Sequence, residues 1–205
     1  MRAFFAVDLP DDLTDPLAEV QSTIDDAAGL TTVDPAQAHV TLKFLGDVPT
    51  RESDGPNSGA EAEPSSVDGG PTVDDVVEAG AQAIDDADLD PFDCSVAGLG
   101  VFPSLEYISV VWAGVDQGSA ALTRLHESLE AETIALGIDP EDHAFTPHVT
   151  LGRLNGRRGK ALIQRAVQEQ HPVVGSFTVS EIRLVESTLT PEGPCYEPVE
   201  TFELG

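Results

Sequence analysis

Two copies of one short motif carry the residues best suited to chemistry. His39-Val40-Thr41-Leu42 recurs 109 residues later as His148-Val149-Thr150-Leu151. Alternate side chains of an extended strand face the same side, so each copy places an imidazole beside a hydroxyl. Imidazole exchanges protons near neutral pH, and a hydroxyl can donate a hydrogen bond to a phosphate oxygen. The motif therefore indicates acid-base chemistry on a phosphate ester.

Two imidazoles that reach one ligand from opposite sides suit in-line displacement at phosphorus. The attacking and leaving oxygens then lie roughly in line, and each needs a proton transfer. A neutral imidazole can take a proton from water while an imidazolium protonates the leaving oxygen, and an unperturbed pKa of about 6.5 provides both forms. We therefore predict His39 and His148 as catalytic residues, and Thr41 and Thr150 as phosphate ligands.

A metal site built on the same two histidines is the competing interpretation, because imidazole is a common metal ligand. The motif supplies no carboxylate or cysteine at ligand spacing, and the sequence contains neither an HExxH nor a CxxC pattern. We therefore expect no metal and no other cofactor. The three remaining histidines are expected at the surface: His126, His143 and His171.

One stretch of the chain differs from the rest in charge. The 205 residues include 37 acidic and 10 basic side chains, and the formal net charge is -27. Residues 143–168 nevertheless contain no acidic residue and half of the basic ones, with Arg153 five positions after His148. Local positive charge in so acidic a chain predicts that an anion docks there, and Arg153 is the basic residue nearest to the second motif.

The overall acidity has a separate explanation. Acidic residues occur along the whole chain, and only two of the ten basic residues are lysines. A basic partner would favour one acidic patch, whereas an even spread favours a halophilic protein, because the Debye length falls to about 3 Å in 1 M salt. No apolar run approaches the roughly 20 residues of a membrane span. We therefore expect a cytoplasmic monomer without a membrane partner, which fails to fold or act at low salt.

The elements that must position the motifs follow a repeated order. Helical spacing covers residues 13–24, 76–84, 122–129 and 162–167. Strand-like runs cover residues 3–7, 39–45, 92–96, 107–112, 145–151, 177–185 and 198–204. The order is β-α-β-α-β twice, with one extra final strand. Strict alternation in the first motif strand places Phe44 on the core face and Lys43 beside the motif histidine.

The repeat also predicts the architecture. Equivalent positions of the two motifs are 109 residues apart, but those of the later helices are 23 residues closer together. This difference is close to the length of an acidic stretch rich in Gly, Pro and Ser at residues 51–72. We predict a disordered insertion there. The fold is expected to be α+β, with two pseudo-symmetric lobes, each an antiparallel sheet with helices, and an active-site cleft between them. Residues 1–205 would form a single bilobal domain.

At these residues the sequence resembles the two-histidine phosphoesterases. Within them it is most similar to the RNA 2',3'-cyclic phosphodiesterase family, also called 2'-5' RNA ligases. The segments that carry the resemblance are residues 1–8 (MRAFFAVD), 39–46 (HVTLKFLG), 98–103 (GLGVFP), 145–153 (FTPHVTLGR) and 184–187 (LVES). The paired motif indicates the superfamily, and the surrounding segments favour this family within it.

The resemblance implies hydrolysis of an RNA 2',3'-cyclic phosphate end to a 2'-phosphomonoester. By position, His39 would be the acid that protonates the departing 3'-oxygen, and His148 the base that activates water. Thr41, Thr150 and Arg153 would bind the phosphate. The reverse reaction, 2'-5' ligation, would use the same groups. Another cyclic nucleotide such as ADP-ribose 1'',2''-cyclic phosphate is an alternative substrate. A non-catalytic RNA-end-binding module is the alternative class, but it would not need both histidines.

Overall fold

A computed structural model describes residues 1–49, 70–190 and 193–205. Its strands are β1 (Arg2–Asp8), β2 (Leu30–Thr32), β3 (His39–Asp47), β4 (Phe92–Pro103), β5 (Ile108–Val115), β6 (His148–Leu154), β7 (Val173–Val179), β8 (Glu181–Thr190) and β9 (Gly193–Glu203). Its α-helices are α1 (Thr14–Ser22), α2 (Val73–Ala87), α3 (Ser119–Ala135) and α4 (Lys160–Glu169). All four predicted helices are present, whereas the short strand β2 was not predicted.

The strands of the described residues form one antiparallel sheet. Their order is β7-β4-β5-β6-β3-β1-β8-β9, and β2 pairs with β6. The two halves of the sheet meet at β3 and β6 through one residue pair, Val40 with Val149. We call β1, β3, β8 and β9 with their helices the His39 lobe, and β2 and β4 to β7 with theirs the His148 lobe. The predicted α+β fold of two pseudo-symmetric lobes is confirmed.

Each lobe takes elements from both halves of the sequence. Helices α2 and α3 pack together and cover the His39 lobe at β9 and β3, whereas α1 and α4 contact β7, β6 and β4 of the His148 lobe. Strand β4 belongs to the first half of the sequence but pairs with β5, and β8 belongs to the second half but pairs with β1. The lobes are therefore not the two sequence repeats.

The predicted single strand over residues 177–185 is wrong. Strand β7 ends at Val179 and β8 begins at Glu181, and the two strands lie in different lobes. Between them, the carbonyl of Ser180 accepts a hydrogen bond from the backbone N–H of Leu204 at 2.9 Å. The segment contains no glycine or proline, so nothing in its composition marks the break.

The helices cover one face of the sheet and leave the other face to the motifs. Along β1, Phe5 and its alternate neighbours enter the core beneath the helices, while Phe4 and Ala6 pack with Val185 on the opposite face. Gly80 allows α2 to approach closely, because a Cβ there would lie 2.8 Å from the ring of Phe5. The larger core thus lies between the helices and the sheet, and a small apolar cluster lies on the motif face.

The predicted insertion at residues 51–72 falls mostly outside the described residues, which omit 50–69. Its last residue, Thr72, is the N-cap of α2. The Thr72 hydroxyl accepts from the Asp75 amide at 3.4 Å, and the Asp75 carboxylate accepts from the Thr72 amide at 2.8 Å. Separately, none of the helices in the described ranges has the length and apolar character to cross a membrane.

Candidate active site

The predicted histidines and threonines lie on the two strands that join the lobes. Because β3 and β6 run antiparallel through their single pair, His39 lies on the side of Thr150 and Thr41 on the side of His148. All four side chains are half-buried, whereas the valine between each pair is fully buried beneath the helices. The structure therefore brings these four predicted residues together on the face of the sheet opposite the described α-helices.

Backbone carbonyls hold both imidazoles in the same way. Nδ1 of His39 lies 2.9 Å from the carbonyl oxygen of Gln37, and Nδ1 of His148 lies 2.7 Å from that of Thr146. A carbonyl oxygen can only accept, so Nδ1 carries the proton in both rings. Nε2 is then the reactive atom, which accepts a proton in the neutral ring and donates one in the imidazolium. Each lobe thus offers a preset acid-base group.

A β-bulge in β3 exchanges the faces that strict alternation predicts. Thr41 and Lys43 pair with consecutive residues of β1, so Leu42 between them has no partner. Beyond the bulge, Phe44 is 62% exposed and Lys43 is fully buried. The prediction of Phe44 in the core and Lys43 beside the motif histidine is wrong for this reason. Phe44 instead lies on the motif face, near the ring of Phe4.

Strand β6 contains the equivalent bulge, and this brings Arg153 to the site. The residue after Thr150 has no partner in β5, so Arg153 is exposed on the face of the second motif. Burial raises the pKa of the Tyr196 phenol, and the positive charge of Arg153 opposes that shift. The guanidinium of Arg153 therefore lies within electrostatic reach of the His39 lobe.

Side chains from the helices bind the carbonyl groups of the two bulge residues, and the carbonyl of Leu151 also accepts from the Val33 amide at 3.0 Å. Nδ1 of His126 lies 2.7 Å from the carbonyl oxygen of Leu42, and Nε2 of Gln21 donates to that of Leu151 at 2.9 Å. His126 is buried and stacks on Phe145, so the expectation that it lies at the surface is wrong. The other two histidines are exposed, as expected: His143 and His171.

Aromatic rings enclose each motif histidine. The His39 ring centroid lies 5.0 Å from that of Phe4 and 5.1 Å from that of Tyr196, on β1 and β9. The His148 ring lies 4.9 Å from Phe102 and 5.9 Å from Trp112, on β4 and β5. None of these four aromatic residues was among the predicted site residues. The sequence contained a signal for Phe4, because this residue alternates with a core residue along its strand.

The two imidazoles influence each other's protonation. Burial lowers the pKa of His39, while its hydrogen bond to Gln37 and the carboxylate of Asp8 oppose that shift. Burial also lowers the pKa of His148, its hydrogen bond to Thr146 opposes the shift, and the charge of His39 lowers it further. Since each added proton disfavours the next, the pair titrates as a coupled unit. Burial and mutual repulsion thus disfavour protonation of both rings at once.

Two free Nε2 atoms on the joined strands of pseudo-symmetric lobes define a two-histidine acid-base site. Residues 4–190 match the family model described as the 2'-5' RNA ligase superfamily. The chain therefore belongs to the 2'-5' RNA ligase superfamily.

Relatives and solved structures agree with this assignment over the whole length. The RNA 2',3'-cyclic phosphodiesterase of Methanothermobacter thermautotrophicus is 36% identical over 206 residues, which cover 100% of this chain and 99% of the relative. The protein of the same name from Archaeoglobus fulgidus is 29% identical, with 99% and 100% covered. A crystal structure from Thermus thermophilus has a TM-score of 0.72 at 29% identity, and covers 100% of this chain and 98% of its own.

The fold is also that of Escherichia coli LigT, whose crystal structure was determined in complex with 3'-AMP. The TM-score is 0.72, the identity is 22%, and 99% of this chain and 97% of LigT are covered. At this identity the likeness concerns the fold alone.

Proposed function

We propose that this protein hydrolyses the 2',3'-cyclic phosphate end of RNA to a 2'-phosphomonoester. The observation that carries the proposal is the matched setting of His39 and His148, each with Nδ1 bound to a carbonyl and Nε2 left for chemistry. The relatives named RNA 2',3'-cyclic phosphodiesterase support the choice of substrate. Two preset acid-base groups favour an enzyme over a binding module.

The proposed reaction is one in-line displacement at phosphorus. Nε2 of His148 takes a proton from water as the water oxygen bonds to phosphorus. The bond from phosphorus to the 3'-oxygen breaks, and the Nε2 proton of His39 passes to that oxygen. His148 ends as the imidazolium and His39 as the neutral ring, and proton exchange with solvent restores both.

Thr41, Thr150 and Arg153 are proposed to hold the phosphate during this step. Each threonine lies two residues from its histidine on the same face, so its hydroxyl can donate to a non-bridging oxygen. Arg153 adds a cation, which strengthens its hydrogen bonds to the phosphate. Donors preset where negative charge develops stabilise the transition state.

We also propose that catalysis needs no metal. In the described ranges, no three His, Cys, Asp or Glu side chains gather in a group that could hold a metal ion. In the proposed step, both proton transfers proceed through imidazoles. Reverse 2'-5' ligation would use the same groups in the opposite order.

The test is hydrolysis of a 2',3'-cyclic nucleotide and of a cyclic-phosphate RNA end in high salt with EDTA, with product separation by chromatography. We expect turnover that is unaffected by EDTA and yields the 2'-phosphate. A 3'-phosphate product would contradict the proposed leaving group. Loss of turnover with EDTA would require a metal, and tight binding without turnover would favour the RNA-end-binding module. Parallel turnover of ADP-ribose 1'',2''-cyclic phosphate decides between the two substrates.

Replacement of Arg153 by glutamine is expected to lower kcat/KM for the cyclic phosphate by about tenfold to a hundredfold. A hydrogen bond to a charged group contributes roughly 1.5–3 kcal/mol, and this interaction would be lost. The matched control is Arg165→Gln, which removes an exposed cation on α4 from the same acid-free stretch. Steady-state kinetics of both variants measure the effect, and equal losses would contradict a specific role for Arg153.

We further propose a cytoplasmic, halophilic monomer. In the part of the chain that the structure describes, no aspartate or glutamate is among the buried residues. At low salt these surface carboxylates repel one another without screening. We expect circular dichroism to show loss of folded structure as KCl is diluted from molar to millimolar concentration. Unchanged spectra throughout the dilution would contradict salt adaptation.

A further inference from the structure

The two histidines differ in the residue that faces them across the neighbouring strand. Strand β1 pairs Asp8 with His39, whereas β5 pairs Gly114 with His148. Cross-strand partners point to the same face, with their Cβ atoms about 4.5–5.5 Å apart. One imidazole therefore faces a carboxylate, and the other faces a residue without a side chain. The pseudo-symmetry of the site is broken at this position.

The carboxylate of Asp8 is held in place on the His39 side. Nη1 of Arg183 donates to Oδ2 of Asp8 at 2.7 Å, and the other edge of the guanidinium donates to Oε1 of Glu181 at 3.1 and 2.6 Å. These three side chains and His39 line one cavity of about 680 Å³. The two carboxylates outnumber the single guanidinium, so the group retains a formal charge of -1. The Asp8 side chain is 44% exposed, so solvent screens part of its charge.

At the equivalent position in the other lobe, a side chain would be closely packed. A Cβ at Gly114 would lie 3.1 Å from the carbonyl oxygen of Ala97 and 3.4 Å from the ring of Trp112. The same Trp112 ring contacts His148. The glycine is thus part of the wall behind the second histidine.

We propose that Asp8 is a positioning residue that holds the shared proton on His39 and thereby leaves His148 as the base. This inference rests on the proposed function. The singly protonated pair has two forms, and only the form with the proton on His39 can protonate the 3'-oxygen while His148 activates water. An adjacent carboxylate stabilises the charged ring, so it favours this form.

The other groups around His39 do not replace Asp8. The neutral Tyr196 ring on β9 contacts His39, and the charge of His148 on β6 interacts with it. The Arg183 cation on β8 is linked to His39 through Asp8. Arg153 reaches Tyr196 electrostatically. The same cavity is also lined by the carboxylate of Asp11, but Asp8 is the carboxylate that faces His39 in the strand register. The cations in this setting disfavour a proton on His39. The effect of Asp8 on the pKa of His39 is upward, as the proposal requires.

The test is Asp8→Asn, which removes the charge but leaves a carbonyl oxygen that can accept from Arg183. We expect NMR titration of the wild-type imidazoles, without substrate, to show His39 holding its proton to higher pH than His148. In the variant, the pKa of His39 falls. The alkaline limb of the pH profile of kcat/KM moves to lower pH, with a loss of roughly three- to tenfold on that limb. A purely structural role would not move this limb.

The matched control is Glu181→Gln, which removes one charge from the same guanidinium but faces neither histidine in the register. We expect its His39 titration and its alkaline limb to follow the wild type. An unchanged His39 titration in Asp8→Asn, or an equal shift in Glu181→Gln, would overturn the proposal. The titration needs no turnover. An inactive wild type would therefore contradict the proposed function, while the titration still decides the role of Asp8.

Discussion

Replacement of either His39 or His148 by alanine is expected to lower kcat/KM by about 10²–10⁴-fold. General acid and general base catalysis typically contribute this much, and each imidazole would perform one of the two proton transfers. The double variant should lose little more than either single variant, because both groups act in one step. Steady-state kinetics with a 2',3'-cyclic nucleotide in high salt measure all three.

The pH profiles distinguish the two roles. Loss of the acid should abolish the alkaline limb, and loss of the base should abolish the acidic limb. His171→Ala is the matched control, because this histidine is exposed, does not belong to either motif strand, and has its Nε2 4.0 Å from Oδ2 of Asp116. Undiminished turnover in either motif variant would disprove the proposed mechanism, provided that the His171 variant behaves like the wild type.

Glu130→Ala is expected to lower the free energy of unfolding by about 3–5 kcal/mol, because it leaves a buried charge without its partner. The ammonium group of Lys43 is fully buried, 2.6 Å from Oε2 of Glu130 and 3.0 Å from the carbonyl oxygen of Asp139. Burial raises the pKa of Glu130, but its hydrogen bonds with Lys43 and the Glu141 amide outweigh this, and the net pKa is lowered. A lowered pKa in the folded state means that this contribution is present above the unfolded pKa and is lost as the pH falls.

Urea unfolding at constant high salt measures the loss, and two further variants test its cause. A double variant, Glu130→Leu with Lys43→Met, should recover most of the stability, because an apolar pair can replace a buried ion pair. Lys160→Met is the matched control, since this lysine is the only other one in the sequence and binds the Glu106 carbonyl at the surface. The free energy of unfolding of the Lys160→Met variant should stay within about 0.5 kcal/mol of the wild-type value. If the Glu130 and Lys160 variants lost the same stability, the ion pair of Glu130 with the buried Lys43 would not be the cause.

The sequence was sufficient for the fold class and the motif residues, because the repeat is a property of the sequence itself. Identical tetrapeptides in two halves place the histidines without any knowledge of strand pairing. The bulges were not predictable in this way. Leu42 and Leu151 are ordinary strand residues, and only the pairing with β1 and β5 shows that they have no partner. The prediction therefore assumed that alternation continues through the bulge, and it placed Lys43 and Phe44 on the wrong faces.

Register is the second kind of information that the sequence lacks. The roles inferred for Asp8 and Gly114 depend on the residue that lies opposite each of them in the neighbouring strand. Tyr196 and Phe4 meet at His39 from opposite ends of the sequence for the same reason. Arg153 is different, since the local absence of acidic residues indicated it before any pairing was known.

The exchange of elements between the lobes has a consequence for ancestry. A half-length chain with one motif would contain the equivalent of β4 but not the strand with which it pairs. Two identical copies of such a chain could each supply the strand that the other lacks, and would form a strand-swapped homodimer. In such a homodimer both subunits have the same sequence, so any mutation near one histidine also occurs near the other. Gene fusion removes that restriction, because the two halves then mutate independently. In the single chain, Asp8 faces His39 and Gly114 faces His148.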